Sequence, residues 1–504
     1  MKVIGSILTW VMKKRIHQIE LFMKHPHEVQ EEWRRKLLNT ARNTEIGKKY
    51  DFESITSEEE FKSRVPVQNY DQIKDYIDRL LKGEQNLLWP SEVKWFAKSS
   101  GTTSDKSKFI PVTQEALEEC HFKGGKDMLS IFCNNRPDNQ IFSGKALMMG
   151  GSNTVNQMNP DSFYGDLSAV IMKNLPFWAD MLRTPEKKVA LMEDWEEKID
   201  RMAKEVAKED VTNISGIPTW TMVLARRILE DHKTDNLLDI WPNLELYLHG
   251  AVSFKPYREQ FKSIIPSDKM YYLETYNASE GFFGIQDFPN SEELLLMLDY
   301  GIYYEFIPID QAEEAFPTSY NLSQVELNTN YVIVITTNAG LWRYRIGDTI
   351  KFTNLNPYRI QISGRTKHFI NAFGEELIID NAEQALRKAC SETGAVIKDY
   401  TAGPVYFSEE GAKGCHEWLI EFVTEPKNLE RFTEILDQGL KASNTDYHGK
   451  RKKDMALTMP KVHSVPKDTF YNWLKSRGKL GGQHKVPRLA NDRKYLDPIL
   501  DLIK

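Results

Sequence analysis

Two periodicities alternate along this chain. Apolar residues three and four apart mark helices, and short alternating or unbroken apolar runs mark strands. The N-terminal stretch opens the helical pattern: Ile4, Ile7, Leu8, Val11 and Met12, continued by Ile16, Ile19 and Met23. It predicts an amphipathic helix docked on the domain, with membrane-surface attachment as the minor alternative. Lys13-Lys14-Arg15 follows the apolar stretch and no small-x-small site comes after it, which argues against a signal peptide. No apolar run reaches the roughly eighteen residues of a membrane span, so no transmembrane helix is expected. Helical patterns return from Val29 to Asn43, between Ser57 and Ser63, and from Tyr70 to Leu81.

Strand patterns begin with Val93 to Ala97 and Phe109 to Val112. Thr113 reads as an N-cap, with Glu115 in the first turn of a helix to about Phe132 that Gly124-Gly125 weakens. Ala146 to Met149 reads as a buried strand ended by Gly150-Gly151-Ser152-Asn153, a tight turn or a ligand-facing one. Helices are predicted over Asp161 to Leu175, Trp195 to Ala207 and Thr221 to His232, with Ser215 to Trp220 as a break. Leu244 to Leu248, Met270 to Thr275 and Tyr331 to Thr337 read as strands, and Leu294 to Leu298 with Ile302 to Ile307 as a strand pair. Asp348 to Phe352 and Ile360 to Arg365 follow. Beyond Thr366-Lys367-His368 the order is helix (Asn381 to Cys390), two strands (Ala395 to Tyr400, Trp418 to Val423), helix (Leu429 to Ala442) and strand (Lys461 to Val465). The alternation predicts an α/β protein with β-sheets flanked by helices, and its last part fits a small α+β lid.

Composition narrows the function classes. The 504 residues suffice for two domains, and 41% hydrophobic with 27% charged is an ordinary soluble composition. A net charge of −6 supplies no basic excess for nucleic acid, so no nucleic-acid partner is expected. Cys120, Cys133, Cys390 and Cys415 form no C-x-x-C pair; free thiols in a reducing cytoplasm fit, with packing as their role. The histidines form no H-E-x-x-H pattern and no cluster with cysteine.

The candidate chemistry centres on Ser99-Ser100-Gly101-Thr102-Thr103-Ser104-Asp105-Lys106-Ser107-Lys108, with six hydroxyls, one glycine and two lysines between two strands. Such a loop can wrap a polyphosphate with amides, hydroxyls and a lysine charge, although a bare Ser/Thr turn has the same composition. It lacks the Walker spacing, which disfavours P-loop chemistry. Two later strings change the reading: Tyr276-Asn277-Ala278-Ser279-Glu280 and Tyr344-Arg345-Ile346-Gly347-Asp348. With the loop, in this order, they resemble the three nucleotide motifs of the adenylate-forming superfamily, and in particular the Gretchen Hagen acyl-acid amido synthetases, the auxin-responsive family of plants with bacterial relatives. Thr44 to Tyr50, Val65 to Tyr70 and Gln483 to Arg488 also look like blocks of that family, so the resemblance covers nearly the whole chain.

The resemblance implies an ATP-dependent ligase. It would join a carboxylic acid to AMP, expel pyrophosphate, and pass the acyl group to an amine such as an amino acid. An acyl-CoA ligase and a non-catalytic nucleotide-binding protein are the alternatives. On this reading ATP and magnesium are the cofactors. Ser99, Ser100, Thr102, Thr103 and Lys108 hold phosphates, and Tyr276, Ala278 and Ser279 lie beside the adenine. Glu280 holds magnesium, Asp348 and Arg365 reach the ribose, and Lys485 enters the site on a glycine-rich loop of a mobile small domain. The resemblance puts the hinge at Thr366-Lys367-His368, so that 1–365 is the large N-terminal ATP- and acid-binding domain and 366–504 the small one. Asn277 departs from the small residue usual before Ala-Ser-Glu. Arg345 reads as a core salt-bridge residue, and His249 as a hydrogen-bonded histidine at a strand end. A cytoplasmic monomer without stable membrane association is the expected state.

Overall fold

The computed structural model describes residues 10–503 except 11, 100–107, 150–155, 161, 193, 253, 255, 256, 313, 315, 366–368, 407–412 and 478–485, and the backbone alone of 159, 178, 195, 365 and 380. The chain divides into two compact units, one of Met1–Ile217 with Leu224–Thr366 and the other of Pro218–Val223 with Lys367–Lys504.

Among the described residues the large unit carries a four-stranded and an eleven-stranded sheet. Its strands are β1 (Trp95–Ser99), β2 (Lys108–Val112), β3 (Lys145–Met148), β4 (Asn156–Asn159), β5 (Ser162–Gly165), β6 (Arg183–Thr184), β7 (Val211–Ser215) and β8 (Leu246–Gly250), then β9 (Tyr271–Ala278), β10 (Gly281–Ile285), β11 (Leu294–Leu296), β12 (Ile302–Pro308), β13 (Asn330–Thr337), β14 (Tyr344–Leu355) and β15 (Tyr358–Arg365). The small sheet runs β2-β1-β5-β4 and the large one β12-β13-β14-β15-β11-β10-β9-β8-β7-β3-β6. Strands β3, β7, β8 and β9 pair in parallel, and β9 to β15 pair antiparallel. The β-branched run Tyr331 to Thr337 is buried on both faces, as a central strand requires.

Several expectations change here. The segment 161–175 is not one helix: Ser162–Gly165 pairs in parallel with β1 and only Leu167–Lys173 is helical. Phe163 sits against Trp95 at 5.1 Å, so strand pairing of aromatic side chains overrides the helical spacing. Leu294–Leu296 and Ile302–Pro308 do not pair with each other; the first lies between β10 and β15, the second beside β13. Ser215 to Trp220 was expected to break the helical pattern, but the helix already begins at Pro218, where a missing N–H costs nothing. Gly124-Gly125 leaves the helix unbroken to Asn135, and the irregularity sits earlier, in a π-helical turn over Leu117–His121. Tyr344 to Gly347 belongs to β14 rather than preceding a strand that starts at Asp348.

The helix Ile16–Lys24 buries Ile19 and Phe22 in the large unit's core. Arg15 beside it bonds Asp127 at 2.9 Å and Asp299 at 2.7 Å. In the small unit, β16 (Phe369–Ile370) pairs with β17 (Leu377–Ile378), and β18 (Val396–Val405), β19 (Cys415–Thr424) and β20 (Lys461–Val465) form a sheet with the helices Ile379–Thr393 and Leu429–Ser443. All four cysteines are free thiols. Among the described residues no helix is long and apolar enough to cross a membrane.

Candidate active site

Three sequence strings converge in the large unit. The first is the hinge of the hydroxyl-rich loop. Strands β1 and β2 are antiparallel and place Ser99 opposite Lys108 at its mouth. Lys108 is buried, its Nζ 5.7 Å from the centre of the Tyr70 ring. The Tyr70 hydroxyl accepts the Phe109 N–H at 2.9 Å. Tyr70 is the first residue of a helix whose N-cap, Asn69, forms a capping box with Gln72. Ser100, Thr102 and Thr103 lie outside the described residues, as do Gly150 to Asn153 and Lys485.

The second string closes a hairpin. Tyr276, Asn277 and Ala278 end β9, Ser279 and Glu280 make the turn, and Gly281 starts β10 opposite Ala278. Glu280 is half-buried. The Tyr276 ring lies 5.0 Å from that of Phe283, and its hydroxyl donates to Asp348 Oδ2 at 2.7 Å. That bond joins the second string to the third across 72 residues of sequence.

Asp348 sits on β14, buried, opposite Arg365 on β15. Its placement depends on an irregularity in β14. Val332 pairs with Thr349 and Val334 with Arg345, so the residues between bulge out of register. Gly347 takes φ +92 there, a conformation that a Cβ would oppose. Arg345 makes no ion pair among the described residues; it donates to the Ala312 carbonyl at 2.7 Å. The core ion pair falls two residues earlier. Arg343 contacts both oxygens of Glu305 at 2.9 Å and also bonds the carbonyls of Lys62 and Val65, with both charged groups buried. Arg343 lies just before β14 at φ +45, outside the strand's alternation, and it rather than Arg345 meets Glu305.

Tyr344, which opens the third string, ties the parts together. Its side chain is fully buried and its hydroxyl has no hydrogen-bond partner among the described residues. Burial pushes its pKa well up, and the Glu280 charge, then Tyr70 and Asp71, add to the rise. Those four side chains therefore share one electrostatic environment. An orphaned buried hydroxyl costs about 1–3 kcal/mol, which suits a site built for a polar ligand.

The chain matches the GH3 family N-terminal domain over residues 15–270, the central domain over 295–365 and the C-terminal domain over 380–494. It belongs to the GH3 family. Indole-3-acetic acid-amido synthetase GH3.3 of Arabidopsis thaliana is 23% identical over 97% of this chain and 93% of its own. Jasmonoyl–L-amino acid synthetase JAR4 of Nicotiana attenuata is 23% identical over 94% and 92%. Among solved structures, the AtGH3.15 acyl acid amido synthetase in complex with 2,4-DB shares the fold with a TM-score of 0.64 at 18% identity, covering 98% of this chain and 96% of that one. A 2-hydroxyisobutyryl-CoA ligase holding 2-HIB-AMP and CoA shares it at 0.58 and 13%, covering 95% and 92%. The expected α/β fold of the adenylate-forming enzymes is thus the fold of this GH3 chain.

Sequence reading gave Tyr70 and Tyr344 no roles of their own, although both stand inside the strings it singled out. It also missed the contacts of Cys120, whose Sγ accepts the Phe282 N–H at 3.2 Å. His249 departs from expectation more sharply. It is buried, yet neither ring nitrogen has a hydrogen-bond partner among the described residues. Its ring stacks on Phe254 at 4.0 Å, and burial, aided by the nearby Arg258 charge, pushes its pKa down to about 3. The bonded strand-end group is its carbonyl, which accepts from Thr275 Oγ1.

Proposed function

We infer that this GH3-family chain is an ATP-dependent ligase that converts a small carboxylic acid to its adenylate and transfers the acyl group to an amino acid. The observation that supports the reading most is the Tyr276–Asp348 hydrogen bond of 2.7 Å, which joins the second string, whose turn carries Glu280, to the third. The amide outcome rests on the family, whose relatives named above are an indole-3-acetic acid-amido synthetase and a jasmonoyl–L-amino acid synthetase.

In this mechanism the acid's carboxylate oxygen attacks the α-phosphorus of ATP, and the bond to the pyrophosphate oxygen breaks. Asp348 accepts the ribose hydroxyls, and the Tyr276 hydroxyl fixes the carboxylate's orientation. Arg365, whose backbone pairs with Asp348, reaches the same sugar. Ser99, Ser100, Thr102, Thr103 and Lys108 hold the β- and γ-phosphates, while Tyr276, Ala278 and Ser279 line the adenine. Magnesium, when bound, neutralises phosphate charge. Glu280, half-buried in its hairpin turn, would hold it, and a single carboxylate is a donor set that fits, since magnesium commonly takes one or two carboxylates with phosphates and water. Lys485, on the small domain, stabilises the charge that builds in the transition state. The amine nitrogen then attacks the acyl carbon, AMP leaves, and the amine gives up a proton. Residues 1–365 form the ATP- and acid-binding domain, and 366–504 a mobile domain whose rotation separates the two steps. Four free thiols suit a reducing cytoplasm, and the chain acts there as a monomer.

The acceptor is tested by mass spectrometry of products formed from one activated acid with amino acids or coenzyme A present. An acyl–amino acid supports the reading. A thioester as the sole product replaces amide formation with acyl-CoA synthesis, a chemistry that the shared fold also hosts.

A further inference from the structure

Glu280 sits on a two-residue turn, so its aim depends on what grips the hairpin. The ladder alone does not supply the grip. Between Phe282 and Gly284 the β9–β10 register shifts, a bulge that disrupts the local pairing. A buried backbone N–H needs an acceptor, and that of Phe282 finds one on the neighbouring helix, donating to Cys120 Sγ at 3.2 Å. One turn on, the helix presents Gly124 to the same residue. A Cβ there would stand 2.6 Å from Phe282 Cδ2. Positions i and i+4 share a helix face, so the thiol takes the backbone and the glycine admits the ring. The ring also meets Tyr300 edge-on at 5.8 Å, and the Tyr300 hydroxyl bonds Asp127 of the same helix at 2.8 Å.

The helix is itself unusual. Cys120 lies in the π-helical turn Leu117–His121, a rare form found often at functional sites. The helix starts at the Thr113 cap, directly after β2, the strand that carries Lys108. One rigid element thus fixes the exit of the phosphate loop and the turn of Glu280. The thiol remains protonated, since burial pushes its pKa up to about 12.

We propose that Cys120 and Gly124 are positioning residues for Glu280, holding its carboxylate where the divalent cation of the nucleotide binds. The proposal rests on the reading of Glu280 as the metal carboxylate. Its test is Mn²⁺ binding followed by electron paramagnetic resonance, with a non-hydrolysable ATP analogue present, alongside deuterium exchange of residues 279–285 without metal. Glu280→Gln is the control. Cys120→Ala and Gly124→Ala should weaken Mn²⁺ binding about tenfold, as outer-shell changes commonly do, and speed exchange in the hairpin. Metal-free nucleotide affinity should stay within about twofold. Cys120→Ser keeps an acceptor and should restore most of the affinity, which a merely structural role would not predict; Cys120→Val replaces the alanine variant if that one fails to fold. Unchanged Mn²⁺ affinity in the Cys120 and Gly124 variants, with a loss in Glu280→Gln, overturns the proposal alone. An unchanged Glu280→Gln overturns the metal reading and the proposal with it.

Discussion

Replacing Asp348 by asparagine isolates the charge that the proposed function assigns to the ribose. Asp348 is 7% exposed and takes the Tyr276 hydroxyl at 2.7 Å on one oxygen. Asparagine keeps the volume and an oxygen for Tyr276, so the fold should persist, with Tm within a few degrees of wild type. The ribose hydroxyls would instead meet a neutral amide. Hydrogen bonds to a charged acceptor contribute about 1.5–3 kcal/mol, so ATP affinity should fall by about 10- to 150-fold. Tyr276→Phe removes only the orienting bond, worth about 1 kcal/mol, or roughly fivefold. Because the two act through one carboxylate, the double variant should lose less than the sum. Calorimetric titration of ATP into each variant measures all three. An Asp348→Asn protein that binds ATP within twofold of wild type would refute the assignment of Asp348 to the ribose.

Three further outcomes are expected. Arg343→Met strands the buried Glu305 carboxylate and should cost about 3–5 kcal/mol in denaturant unfolding, while Arg343→Met with Glu305→Leu should recover much of it. His249 is neutral in the fold down to about pH 3, whereas its unfolded pKa is about 6.5. The unfolded chain alone gains that proton as pH falls through 6.5, so stability approaches its full value above 6.5 and declines towards 3; from pH 6.5 to 5 the loss is about 1.6 kcal/mol, and His249→Phe should flatten that slope in unfolding curves. Lys485→Ala should slow adenylation at least tenfold in single-turnover assays while leaving ATP affinity nearly unchanged; equal losses in both would make it a binding residue.

The large elements were legible because their patterns are local. Tyr331 to Thr337 reads as a central strand from its branched residues alone, and the helix after Thr113 from its cap. The site strings were legible as strings, which is why Glu280 and Asp348 could be named as candidates. What failed was relational. Nothing local says that Phe163 pairs with Trp95, or that Leu294 and Ile302 serve different partners. Arg343 and Arg345 differ by two positions along the chain, yet Arg343, at φ +45 before β14, meets Glu305 while Arg345 bonds the Ala312 carbonyl, and a bulge at Gly347 precedes Asp348. The roles of Tyr344, Cys120 and Gly124 exist only once distant segments close on one another.

The most direct test of the central claim is acid-dependent ATP–pyrophosphate exchange over a panel of carboxylic acids, with Glu280→Ala alongside. Exchange that requires an acid and disappears in Glu280→Ala is the predicted result. ATP binding without exchange on any acid, or exchange undiminished in Glu280→Ala, would contradict it.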